Sequence, residues 1–278
     1  MQLQRGFATG REPKLSDIRH SWLKRFSIGT GVLLTAFILI VLILIVTYPG
    51  YESLFECIIS EEIGFAIYLS LVTSVISTVL CILFAIPVAY ALARYKFPLK
   101  NLINTVTDIP LALPPLVAGV GLLLFFSKTA PGQALAAAGI EFIFTPLGIM
   151  AAQFFVNMPF MIRILRSSFQ SINPRYEYVA RTLGCTEFTA FTQVTLPMAR
   201  NGLIAGTVIT WSKAMGEFGA ALMVAGATRM KTESLPVAVY LNMSTGDLDM
   251  ATSAAAILIA IAVVSLFVFE RYGGTTNI

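Results

Sequence analysis

"VARTLGCTEFTAFTQVTLP", residues 179–197, is a polar, threonine-rich stretch lying between long apolar runs. Gly184 and Pro197 punctuate it. Just upstream, Asn173 suits a helix N-cap and Pro174 the first helical position, while Gly184 suits a C-terminal stop. Thr186 can cap a second short helix with Glu187 in its first turn. Phe188 and Phe191, three apart, would then share a face. Pro197 falls where the next long helix begins. The spacing predicts a short helix, a turn, a second short helix and a return to apolar chain. Two readings stand side by side. One is an ordinary solvated loop; the other is a docking element offering a small apolar face to a partner.

The surrounding sequence places this stretch at a membrane. Hydrophobic residues make up 56% of the chain and charged residues only 12%, against about 25% charged in soluble domains. Runs near the ~20 residues that cross a bilayer lie at 27–49, 63–93, 109–127, 146–162, 202–226 and 250–269. The second is longer than a bilayer core at ~1.5 Å per residue, so it tilts, bends at Pro87 or projects into water. Six spans put both termini on one side. Fifteen of the 19 Lys and Arg fall on that side, Lys128, Arg229 and Lys231 on the other, and Lys213 within the fifth run. The bias of basic residues toward the cytoplasm therefore makes both termini and the opening stretch cytoplasmic. The protein reads as multi-pass in the cell (inner or plasma) membrane. Its parts are a cytoplasmic segment 1–26, a membrane domain 27–270 with a cytoplasmic segment at about 166–200, and a tail 271–278. Segment 1–26 lacks the pattern of a cleaved signal peptide. It reads either as an interfacial helix, with Ile18, Trp22 and Phe26 four apart, or as a loose tail. The net charge of +4 is absorbed by topology, which removes the case for nucleic acid as a partner.

Within the opening stretch, Ala180, Gly184, Val194, Leu196 and Pro197 resemble a cytoplasmic motif of the membrane subunits of binding-protein-dependent ABC importers. That motif reads EAA, three residues, G, nine residues, I, one residue, LP. Tyr178 and Val179 depart from its first two letters, and Glu177 lies one place early. "RYKFPLKNLINTVTDIPLALPPLVAGVGLLLFF" and "SKAMGEFGAALMVAG" are similar to segments of the oxyanion branch, the molybdate/tungstate and sulfate permeases. The resemblance covers roughly residues 93–226. It implies an all-α integral membrane fold of the type I ABC importer permease kind, with six transmembrane helices and a coupling helix between spans four and five. It implies coupling to an ATPase through Glu177, Ala180, Arg181, Gly184, Phe188, Leu196 and Pro197. It also implies a second copy of the chain, two cytoplasmic ATPase subunits carrying ATP and Mg, and an external substrate-binding protein. Molybdate or tungstate is the expected cargo, with sulfate the alternative.

The residues fit a transport subunit. There is no Gly-Lys dipeptide, so the usual phosphate-cradling loop is missing and nucleotide must bind elsewhere. No cofactor, metal site or catalytic group is expected in this chain. His20 is the single histidine, and on this topology Cys57, Cys81 and Cys185 fall on the outer side, within a span and on the cytoplasmic side, too far apart to pair. Lys213 and Glu217 stand four apart in the fifth run. Either they satisfy each other, or Lys213 lends positive potential to an anion path. Gly216 and Gly219 allow close helix approach there. Pro110, Pro114 and Pro115, followed by Gly119 and Gly121, mark either a span edge or a broken helix at a gate. The path candidates are thus Pro114, Pro115, Gly119, Lys213, Gly216, Glu217 and Gly219. Pro159 is a second possible kink, Gly202 and Gly206 a packing pair, and Asp247 with Asp249 a cap for the sixth span rather than a metal loop. A secondary transporter would need polar relays in several spans. An intramembrane enzyme would need catalytic pairs that the spans lack.

Overall fold

The computed structural model describes residues 22–273, and among these every regular element is helical. The expectations for His20 and Ile18, and for the tail 274–278, lie outside the described residues. The chain divides into two units, one ending at Thr47 and one beginning at Tyr48. In the first, α1 (Trp22–Thr47) carries no charge beyond Arg25 and is apolar on every face, as a lipid-embedded helix must be. It starts ahead of the expected boundary and takes in Trp22 and Phe26, whose rings stack at 5.3 Å.

The second unit comprises α2 (Tyr51–Ile59), α3 (Glu61–Arg94), α4 (Lys100–Ala112), α5 (Pro115–Lys128), α6 (Ala130–Ala137) and α7 (Pro146–Ser171). After them come α8 (Arg175–Thr182), α9 (Glu187–Ala190), one π-helical turn (Phe191–Thr195) and α10 (Leu196–Met198). The unit ends with α11 (Arg200–Met215), α12 (Gly219–Ala225), α13 (Leu235–Thr245) and α14 (Leu248–Gly273). Four described helices are long and apolar enough to cross a membrane: α1, α3, α7 and α14 through Phe267. The α4–α5 pair makes a fifth if a bent pair counts as one span.

Two expected spans need correction. The run 109–127 is not one helix: α4 and α5 meet at 114°. Leu113 and Pro114 each precede a proline, which forces extended backbone on them, and both have ψ near +135° (137° and 135°). The run 202–226 is likewise two helices, with the break at Gly216–Phe218. By contrast α3 and α7 continue through Pro87 and Pro159.

The core is built of small residues, which let helices approach closely where lipid supplies no hydrophobic drive. Ala85, Ala89 and Leu92 of α3 pack on Met161, Leu165 and Phe169 of α7. Ala118, Ile149 and Ala152 meet Ala220 and Ala221 of α12. Ile63 and Ala66 meet Leu235, Ala238 and Ala254. Gly202 and Gly206 pack as expected: a methyl group on them would lie 2.3 Å from Ser168 Oγ and 2.9 Å from Met161 Sδ. Asp247 Oδ1 accepts the Met250 N–H at 2.9 Å, the predicted cap.

Candidate functional site

Two places carry the predicted site residues. The first is the connection between α7 and α11. It opens where Asn173 Oδ1 accepts the Arg175 N–H (3.0 Å), so the asparagine caps α8 through its side chain. Gly184 closes α8 at φ +97°. The Gly184 N–H donates to the Arg181 carbonyl (3.1 Å) and the Cys185 N–H to the Ala180 carbonyl (3.1 Å), the paired bonds of a Schellman stop. Thr186 caps α9 by accepting the Thr189 N–H at 3.1 Å. The helix, turn, helix reading is what the chain adopts, with a π turn before Leu196.

Glu177 anchors this connection. Its carboxylate accepts from Arg94 Nε (2.9 Å), from Tyr90 OH (2.9 Å) and from Thr195 Oγ1 (2.6 Å). The first two come from the end of α3; the third ties α8 to the far end of the same connection. Both charged side chains are nearly out of solvent, 8% exposed for Arg94 and 12% for Glu177. Burial, the largest single influence, pushes the Glu177 carboxyl up. The hydrogen bonds from Thr195, Tyr90 and Arg94, with the Arg94 charge, outweigh it and hold the group below the usual carboxylate range. Tyr95 OH bonds Glu187 and adds a second tie from α3 to α9.

With the anchor turned inward, apolar side chains are left outside. Tyr178 is 62% exposed, Val179 56%, Leu183 80% and Phe188 74%. The two residues that break the motif's leading letters therefore belong to an exposed apolar crown. Phe188 and Phe191 border one groove with Ile86 and Pro87, but Phe191 turns in, 4.5 Å from the Tyr90 ring. Ala180 is buried, Arg181 and Pro197 are exposed, and Leu196 packs beside Ala89 and Phe169. The sequence reading missed Tyr90, Arg94, Tyr95 and Thr195. The one available signal was an arginine and two tyrosines closing a long apolar run.

The second place is where the two broken helices meet. A methyl group on Gly119 would lie 2.7 Å from Met223 Cβ and 2.8 Å from Ala220 Cα; one on Gly219 would lie 3.0 Å from Pro115 Cβ. α5 and α12 thus touch backbone to backbone through Pro115, Gly119 and Gly219, with Pro114 in the bend beside them. Glu217 sits at the break, buried, and its Oε1 accepts the Ala220 N–H at 2.9 Å, capping α12. It does not pair with Lys213, so the self-satisfied pair is not formed. The break turns Glu217 onto its own downstream helix. Lys213 is exposed, with Nζ 4.1 Å above the Phe160 ring, a contact that leaves the charge in place. Gly216, also exposed, closes α11.

Similarities to known proteins agree with this architecture. The family described as binding-protein-dependent transport system inner membrane component matches residues 82–272. The molybdenum transport system permease protein ModB of Mycobacterium tuberculosis is 34% identical over 233 residues, 84% of this chain and 87% of that protein. The sulfate transport system permease protein CysT of Escherichia coli is 30% identical over 246 residues, 87% of this chain and 89% of that protein. A chain in the crystal structure of a bacterial alginate ABC transporter, in complex with alginate pentasaccharide-bound periplasmic protein, shares the fold. It superposes with a TM-score of 0.74 at 19% identity, covering 94% of this chain and 96% of that one. From this match over most of its length, and from the fold, the chain belongs to the family of binding-protein-dependent transport system inner membrane components.

Proposed function

We propose that the chain is the permease subunit of an ATP-driven importer of tetrahedral oxyanions, with molybdate or tungstate as cargo and sulfate as the alternative. It is a transport component rather than an enzyme, and ATP hydrolysis with its Mg belongs to a separate subunit. The observation that carries the reading is the connection held by Glu177: a rigid, capped element with an exposed apolar crown, fixed by buried polar bonds to the end of α3. A loop with no partner has no reason to hold Leu183 and Phe188 in water. Two cytoplasmic ATPase subunits would take these crowns from a homodimer of the chain, with both termini on the same side. Closing the ATPases on ATP would draw the two connections together, and Arg94 and Tyr90 would pass that movement to α3. An external binding protein would then release its anion to the opposite mouth.

The broken helices supply the path. Pro115 meets Gly219 and Gly119 meets Ala220, with Pro114 in the bend beside them, at a point where neither helix runs through, and Lys213, not ion-paired with Glu217, offers a positive charge one turn from the break. A single lysine favours a passing dianion without trapping it. The oxyanion class is favoured over sugar or amino acid by likeness to molybdenum and sulfate permeases. The test is uptake of labelled molybdate and sulfate into vesicles holding this chain, its ATPase and its binding protein. ATP-dependent uptake of either anion is expected. Uptake that persists without the ATPase, or the absence of uptake for both anions in an assembled complex, would refute the proposal.

A further inference from the structure

We propose that Gln153 is a positioning residue that fixes where the α11–α12 helix breaks. Gln153 lies in the middle of α7, 1% exposed, in an apolar stretch where an amide must find partners. Ser77 Oγ donates to its Oε1 at 3.0 Å, and its Nε2 donates to Thr73 Oγ1 at 3.3 Å and to the Ala214 carbonyl at 2.9 Å. One amide thereby joins α3, α7 and α11. The Ala214 carbonyl is the one that also accepts the Glu217 N–H, at 3.2 Å, across the break. Gln153 thus holds a carbonyl in the last turn of α11, one residue before that helix ends at Met215. One turn away on the same three helices, Thr78 Oγ1, Asn157 Oδ1 and Thr210 Oγ1 are buried without a hydrogen-bond partner. The polar bonding between these helices is therefore concentrated at the Gln153 level, and that level coincides with the break.

The role of the break in transport rests on the permease reading; its geometry does not, so two measurements separate the two. The first is hydrogen exchange of the full chain in lipid nanodiscs, comparing residues 212–222 with α8. Losing the amide in Gln153→Leu should speed exchange over 212–222 by about tenfold, the size of one lost buried hydrogen bond, and leave α8 unchanged. Gln153→Glu, which keeps an acceptor for Ser77 and, with its carboxyl protonated, a donor for Ala214, should stay within about threefold of the parent. An unchanged rate in the leucine variant, an equal rise in α8, or a glutamate variant as fast as leucine would each overturn the proposal. The second is molybdate uptake per ATP hydrolysed in the assembled transporter, which should fall in Gln153→Leu and recover in Gln153→Glu. Uptake per ATP equal to the parent in an assembled leucine variant would remove the role in transport, whatever the exchange shows.

Discussion

Replacing Glu177 by alanine tests the anchor directly. The change deletes a carboxylate that accepts three side-chain hydrogen bonds, and strands Arg94, whose side chain is 8% exposed. Removing one member of a buried ion pair costs about 3–5 kcal/mol, because the remaining charge keeps its desolvation penalty without compensation. The loss falls on one event, the detachment of residues 175–198 from the end of α3. At about 1.4 kcal/mol per decade, the open population should rise by roughly two to three and a half orders of magnitude. Arg181 lies in α8 and is exposed, so trypsin cleavage after it reports that population as long as opening is fast relative to cutting. The expected result is cleavage after Arg181 faster by at least about a hundredfold, with α3 and α7 still intact. Glu177→Gln, which keeps an acceptor but no charge, should fall between. A variant cleaved at the parent rate would show that the apolar contacts of Phe191 and Leu196 hold the connection, and that the Glu177 network contributes nothing to its docking.

Three further outcomes follow from the same geometry. The Glu177 carboxyl is held below its usual value, so its contribution is whole above the unfolded value of about 4.3 and drains as pH falls through the lower folded value. Protection of the α8 amides against hydrogen exchange, taken relative to the intrinsic exchange rate at each pH, should stay flat from pH 7 to about 5 and fall only below about 4, and that fall should vanish in Glu177→Gln. Gly119→Ala places a methyl 2.7 Å from Met223 Cβ and 2.8 Å from Ala220 Cα, whereas Gly121→Ala meets nothing within 4 Å. The first should lower the melting temperature, at an overpacking cost of about 1–3 kcal/mol, and the second should leave it unchanged. Gly184→Ala has open space but a φ of +97°, so its cost is backbone strain of about 1–2 kcal/mol. Gly184→Asn should recover part of it, as read by exchange at Cys185 and Thr186.

The membrane character, the capped segment and one of the two helix breaks were readable in the sequence because each depends on local chemistry. Proline before proline, as at Leu113–Pro115, dictates extended backbone whatever surrounds it. Gly184 announced its left-handed turn in the same way. Hydropathy misjudged what followed from those breaks: a window over 202–226 adds up to a span whether or not the helix is continuous. It also passed over α13, whose 11 residues are too few to cross a bilayer and so read as loop. What sequence could not supply were partners distant along the chain. Glu177 looked like a misplaced letter of a motif until Tyr90 and Arg94, 87 and 83 residues away, closed around it. Lys213 and Glu217 looked like a pair because four residues place side chains together on an unbroken helix, and this helix is broken between them. Gln153 drew no notice, since one amide in an apolar run has no pattern. Its bonds to Ser77, Thr73 and Ala214 show that polar relays here are built from uncharged groups, which a search for ionisable residues passes by.

These contacts share one element. α3 is 34 residues long, about 50 Å at ~1.5 Å per residue, and its polar bonds are spaced along it. Tyr90 and Arg94 hold Glu177 at one end. Ser77 and Thr73 hold Gln153, and through it Ala214, in the middle. Ser70 accepts the Leu235 N–H at 2.8 Å, where α13 begins, and Glu62 pairs with Arg229 at the far end. A packed helix moves as a body more readily than it stretches, because each backbone hydrogen bond resists extension. A displacement of the connection at Arg94 would therefore travel along α3 as a body and pass through Ser77, Thr73 and Gln153 to the α11–α12 break. The two helices of the break are joined by three residues, Gly216 to Phe218, and Glu217 bonds to both sides of it, its N–H to the Ala214 carbonyl and its Oε1 to the Ala220 N–H. On the permease reading proposed above, polar bonds at both ends of α3 and an α11–α12 joint tied to its middle through Gln153 would make the connection and the break one device.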